Sequence, residues 1–206
     1  MAVITGTSES RGIITIYCDG SSLIRLRKKH FDKKPLSVGD NIEPDEYIDS
    51  IAALQSPDAY EAALTLLDFS MRTGAEIRRG LMRKGYVEPA AEAAVARLTE
   101  AGLIDDRDYA ARVAENASRK SVGIYAVRRK LMAKGVSEDD ADAALATLND
   151  AQQLSAARAA ASKLARKYAE LEPRQARSKL SQALARRGFS WDIISAALES
   201  IGDEDI

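Results

Sequence analysis

Three copies of one phrase constrain this chain more than anything else in it. Residues 76–86 read EIRRGLMRKGY, residues 126–136 read AVRRKLMAKGV, and a third, weaker copy ends in ALARRGF. Aligned on glycine, Gly85, Gly135 and Gly188 stand in register at intervals of 50 and 53 residues. Eight residues before each glycine is an aliphatic residue (Ile77, Val127, Leu180), and four before each is a leucine (Leu81, Leu131, Leu184). A base precedes each glycine directly (Lys84, Lys134, Arg187), and an apolar residue follows it (Tyr86, Val136, Phe189). Further on come Val95 and Leu98, Leu145 and Leu148, and Leu198 and Ile201.

Side chains four apart lie one turn apart on a single helical face, and a glycine ends a helix in the left-handed region at little steric cost. A base in the last turn suits the negative end of the helix dipole. Pro89, Ser137 and Ser190 then start the next helix, the first by its fixed φ and the others by capping. A preceding helix is predicted near residues 60–71, 106–120 and 154–170, which makes each unit three helices. The expected fold is mainly α, with three tandem three-helix repeats stacked into an elongated, curved body. The repeats are expected at 57–103, 104–152 and 153–206.

Residues 1–56 read differently. The first ten, MAVITGTSES, suggest a loose tail. Two β-rich runs, 13–17 and 23–27, flank Asp19-Gly20, a dipeptide suited to a tight hairpin turn. After Pro35, Gly39 and Pro44, the spacing of Tyr47, Ile51 and Leu54 predicts a short helix. A hairpin alone is marginal in water, so this one must lean on the rest of the chain.

Catalytic signatures are missing from the sequence. It has one histidine, His30, and one cysteine, Cys18, and no nucleophile motif, cofactor fingerprint or glycine-rich phosphate loop. Both residues, and the helix-starting pair Asp105-Asp106, read as ordinary structure. No catalytic residue, metal or cofactor is expected. With no signal peptide or long apolar run, a cytoplasmic protein without membrane attachment, acting as a monomer, is expected.

The charges are more informative. Thirty bases nearly cancel thirty-one acids, so only their placement can speak for a polyanionic partner. If Ile77 and Leu81 face the core, steps of about 100° put Arg79 and Arg83 on the opposite side, and Arg129 likewise opposite Val127 and Leu131. Arg78 and Arg128 flank that surface, Lys84 and Lys134 end the two helices, and the turn SRKSVG adds Arg119 and Lys120. The third repeat contributes Arg174, Arg177, Arg186 and Arg187. These thirteen bases read either as a stripe facing phosphate or an acidic protein, or as solvated faces paired with neighbouring acids. Aromatics are 5% of the chain, and Tyr86, Phe189 and Trp191 at the helix junctions are expected in the core, so base-specific reading has little support.

ALTLLDFSMRTGAEIRRGLMRKGY, LTEAGLIDDRDYAARVAENASRKSVGIYAVRRKLMAKGV and a third unit ending in ALARRGFSWDIISAAL together resemble the RecX family of bacterial regulators of the RecA recombinase. The hairpin resembles the N-terminal extension of Gram-positive members. The resemblance implies three tandem three-helix repeats without catalysis. It also implies binding to the RecA filament on single-stranded DNA, along its groove, with inhibition of ATP hydrolysis, strand exchange and coprotease function, and so a part in recombination, DNA repair and the SOS response. Gly102, Asp105, Asp106, Tyr109 and Ala110 match the second-repeat signature, as do Arg119, Lys120, Gly123, Arg128, Leu131, Lys134 and Gly135. The first repeat has MRTGAEI where the family usually has Arg-Ser before Glu-Leu, which counts against a phosphate role for that turn. Gly80, in mid-helix, weakens its helix by about 1 kcal/mol relative to alanine. Single- or double-stranded DNA is a further expected partner beside the RecA filament, and the alternative reading is a helix-turn-helix-like DNA-binding protein that acts on transcription.

Overall fold

The computed structural model describes residues 1–68 and 70–199 of the 206. The chain divides at Asp105 into two compact units.

The first unit opens with a four-stranded antiparallel sheet in the order β3-β2-β1-β4, with β1 at Ala2–Ser10, β2 at Ile13–Cys18, β3 at Ser21–Arg27 and β4 at Asn41–Ile42. The expected hairpin is present as β2 and β3. Cys18 pairs with Ser21, and Asp19 and Gly20 both take positive φ (48° and 81°), the geometry that lets two residues reverse a right-twisted ribbon. The loose tail is not: residues 2–10 form β1, joined to β2 by a second tight turn at Arg11-Gly12 (φ 53° and 73°). Only Ile4 of β1 is buried, so no apolar alternation announces the strand, and its backbone pairing on both sides holds it instead.

Four helices follow: α1 at Lys28–Phe31, α2 at Pro44–Leu67, α3 at Gly74–Arg83 and α4 at Glu88–Glu100. The expected short helix and the expected helix at 60–71 are one element, α2, which passes through Pro57 and stops at Leu67. Its buried residues, Tyr47, Ile51, Gln55, Ala59 and Ala63, recur every fourth position on both sides of the proline. That continuous stripe outweighs the roughly 3 kcal/mol that an interior proline costs. Thr73 caps α3 in a reciprocal box with Glu76, so the MRTGAEI turn has a structural use. A Cβ on Gly80 would lie 2.9 Å from Leu66 Cδ1, so the glycine marks where α3 closes on α2. One core joins the sheet to the helices through Ile16, Leu26, Ile51, Ile77, Leu81 and Leu98.

The second unit is all helical among its described residues: α5 at Asp106–Arg119, α6 at Ile124–Lys134, α7 at Glu138–Leu145, α8 at Asp150–Tyr168, α9 at Pro173–Arg186 and α10 at Trp191–Glu199. The three aligned glycines take φ of 82°, 82° and 87°, the left-handed stop expected of them. The aligned aliphatics Val127, Leu131, Leu180 and Leu184 are buried, as are Ile77 and Leu81 in the first unit. Ile201, the last aligned position, lies outside the described residues. Tyr86 and Phe189 enter the core as expected, but Trp191 does not: it is 69% exposed. As the first residue of α10, it projects from the helix start, while Ile194 and Leu198 carry that helix's buried face.

Candidate functional site

Each repeat joins its last two helices at the glycine stop, and the structure assigns the bases there to two groups. The first group is held in ion pairs within the chain. Arg78 on α3 bonds Glu88 and Glu92 on α4, at 2.8 and 3.3 Å. Arg128 on α6 bonds Asp142 and faces Glu138 at 3.7 Å, both on α7. Measured from the glycine, the arginine is seven residues before and the acids three and seven after in both repeats, so the clamp is itself repeated. In the third repeat the same positions hold Ser181, Trp191 and Ser195, and the clamp is missing. Arg119 is also paired, with Glu115 one turn back at 2.6 Å.

The second group faces solvent. Arg83, Lys84, Lys120, Arg129, Arg174, Arg186 and Arg187 are exposed, with no ion pair among the described residues. Arg79 is exposed, and Lys134 and Arg177 are half-buried; each of these three has a partner in the chain.

Two junctions gather members of this second group. In the first unit the carbonyl of Gly85 accepts from Arg27 N on β3 (3.1 Å) and from the buried amide of Gln55 (2.9 Å), whose Oε1 accepts from Val87 N (2.7 Å). The stop that carries Arg83 and Lys84 is thereby fixed to the sheet. Arg83 and Arg25 of β3 line one open cavity of about 820 Å³, while Arg27 bonds Tyr86 Oη at 2.8 Å. In the second unit the first turn of α6 is capped by the third repeat: Gly123 N donates to Arg187 O, Ile124 N to Gln153 Oε1 and Tyr125 N to Gly188 O, each at 3.0 Å. Three of the four N–H groups that a helix start leaves open are satisfied this way. The two backbones touch so closely that a Cβ on Gly123 would lie 2.2 Å from Gly188 C. This contact brings the backbone of Arg187 against Gly123, three residues after Lys120, and Arg119 shares a cavity of about 630 Å³ with Lys163 of α8.

Sequence reasoning missed Arg25 and Lys163, because they reach these places only through strand pairing and helix packing over long separations. No local signal marks them.

His30 is structural. It is 1% exposed, its Nε2 lies 2.9 Å from Asp58 Oδ2, and its Nδ1 faces the Gln55 amide at 3.4 Å. Burial lowers its pKa from the usual 6.5, while Lys29, bonded to Asp58, holds that carboxyl below its usual range. Among the described residues no three His, Cys, Asp or Glu side chains converge on a possible metal position. Nor is any helix there long and apolar enough to cross a membrane.

Three-helix repeats joined at left-handed glycine stops, with bases crowded on those stops, define a helical-repeat protein. Residues 59–98, 105–145 and 150–198 match, in that order, RecX, first, second and third three-helix domain. The chain belongs to the RecX family. It is similar to the regulatory protein RecX of Limosilactobacillus reuteri strain DSM 20016, at 30% identity over 94% of this chain and 72% of the relative. Regulatory protein RecX of Lactococcus lactis subsp. cremoris strain MG1363 is 32% identical over 68% of this chain, which spans about half of that relative's length (53%). Among solved structures, a crystal structure of regulatory protein RecX has a TM-score of 0.67 at 28% identity, covering 97% of this chain and all of the other. RecX from Lactobacillus salivarius follows at 0.66 and 27%, over 72% and 97%.

Proposed function

We propose that this RecX-family regulatory protein is a non-enzymatic, cytoplasmic modulator of RecA. In this reading it binds the RecA filament on single-stranded DNA along its groove and mainly inhibits it, so regulating recombination, repair and the SOS response. The observation that carries the reading is the run of three successive RecX domains from residue 59 to 198. The bases clustered at two glycine junctions support it physically. Exposed Lys and Arg attract a polyanion or an acidic protein face over about a Debye length, whereas clamped Arg78 and Arg128 are already neutralised locally.

The test is RecA's ATP hydrolysis on single-stranded DNA with the purified chain added. A falling rate is expected, and an unchanged rate at excess protein would sink the proposal. Reversing Arg186 and Arg187 to glutamate is expected to weaken inhibition by about tenfold, with helicity kept in circular dichroism.

A further inference from the structure

The third repeat lacks the clamp of the other two, and among the described residues a groove runs in its place. Where Arg78 and Arg128 tie the last two helices of their repeats together, α9 and α10 present Ser181, Trp191 and Ser195. A groove of about 530 Å³ runs between these helices, floored by Ile194 and Leu198 of the core. Trp191 lines it, 69% exposed. Arg174, exposed in the first turn of α9, lines it too. Arg177 also lines the wall, and no acidic residue lines the groove among the described residues.

We infer that this groove docks an acidic segment of a protein partner, one that places an apolar side chain against Trp191 and Ile194 and carboxylates against Arg174. Charge complementarity fixes the sign of the occupant: among the described residues the charges lining the groove are Arg174 and Arg177, and since Arg177 already has a partner in the chain, exposed Arg174 is the charge that decides it. The apolar floor and the lone indole fix its kind. A nucleic-acid strand needs a series of stacking faces along a basic track, whereas one apolar anchor beside a large exposed aromatic is how a peptide seats. Repeats one and two cannot offer the same site, because their own Glu88, Glu92, Glu138 and Asp142 already occupy the acid's place. The inference does not depend on which protein supplies the segment, so it stands or falls apart from the RecA reading.

Trp191 is the chain's one tryptophan, so the emission of the whole protein reports on this groove. A short synthetic peptide of glutamates and aspartates around a Leu-Phe pair is expected to shift that emission to the blue and to saturate. The same peptide with lysines for its acids, and an oligothymidylate, are expected to leave it unchanged. Arg174→Glu, favourable to a helix start by dipole and so expected to fold, should weaken the acidic peptide by about tenfold. Ser181→Arg with Ser195→Asp rebuilds the clamp beside an intact Trp191 and should abolish the response, circular dichroism holding constant. No response to the acidic peptide overturns the inference. So does a response to oligothymidylate in its place, or an affinity unmoved by both variants.

Discussion

Repeats one and two close their last helix pair with an arginine held between two acids; repeat three makes the same pair without it. Both arrangements end α-helices at the same left-handed glycine and bury the same aliphatic pair, so the clamp is not what makes the fold. What it does is set ion pairs where repeat three has a groove. Its absence leaves α9 and α10 with a hydroxyl-walled slot and an exposed indole. An arginine pair in a repeat signature thus has two separable parts: the first arginine is held by acids of the next helix, and the second, Arg79 or Arg129, faces out.

The sharpest way to break the comparison is at the glycine the repeats share. A Cβ on Gly188 would lie 2.3 Å from Ala126 N, in addition to the left-handed backbone. Gly188→Ala is therefore expected to cost about 3 kcal/mol or more in denaturant unfolding of the second unit. Gly102→Ala, with a positive φ but open space around it, should cost only about 1 kcal/mol. Equal losses would mean that the close approach of the second and third repeats contributes nothing.

Acid should separate the two units next. The chain's one histidine, His30, lies buried in the first unit with a lowered pKa. Above pH 6.5 it is neutral in folded and unfolded states alike. Below that, the unfolded chain takes up the proton first, so the first unit loses stability as pH falls through 6.5 towards the lowered folded value. The second unit has no such group, and its stability should hold until carboxylates titrate. Hydrogen exchange of each unit at pH 7 and 5.5 reads this directly, and His30→Gln should flatten the difference.

The clamps themselves should contribute least. Arg128→Ala and Arg78→Ala are expected to lower stability by about 0.5–1 kcal/mol each, because the pairs are half-exposed, and Ser181→Ala by almost nothing. Thermal unfolding of the three variants side by side tests whether the clamp is worth more to the fold than its position suggests.

Much of this was legible in the sequence because helical repeats write their core at fixed spacing: Ile77 with Leu81, Val127 with Leu131 and Leu180 with Leu184 are all buried. The β2–β3 turn was legible for a similar reason, since Asp19-Gly20 carries its own backbone requirement. β1 was not, because a strand held mainly by pairing needs no apolar alternation. The run of α2 through Pro57 was hidden too, since tertiary burial on both sides overrode a local breaker. For the surface, exposure of Arg79, Arg83 and Arg129 followed from helical phase, but the capture of Arg78 and Arg128 by acids on the next helix required knowing how the helices meet. Trp191 was misplaced because junction aromatics are core residues only where the junction is closed.

The start of α6 borrows its hydrogen-bond acceptors from Gln153, Arg187 and Gly188. During synthesis those residues are made after α6, so the second repeat emerges from the ribosome with the top of its middle helix unfinished. It has to wait for the third before that helix can close, and any truncation between the two leaves the second repeat permanently in that state.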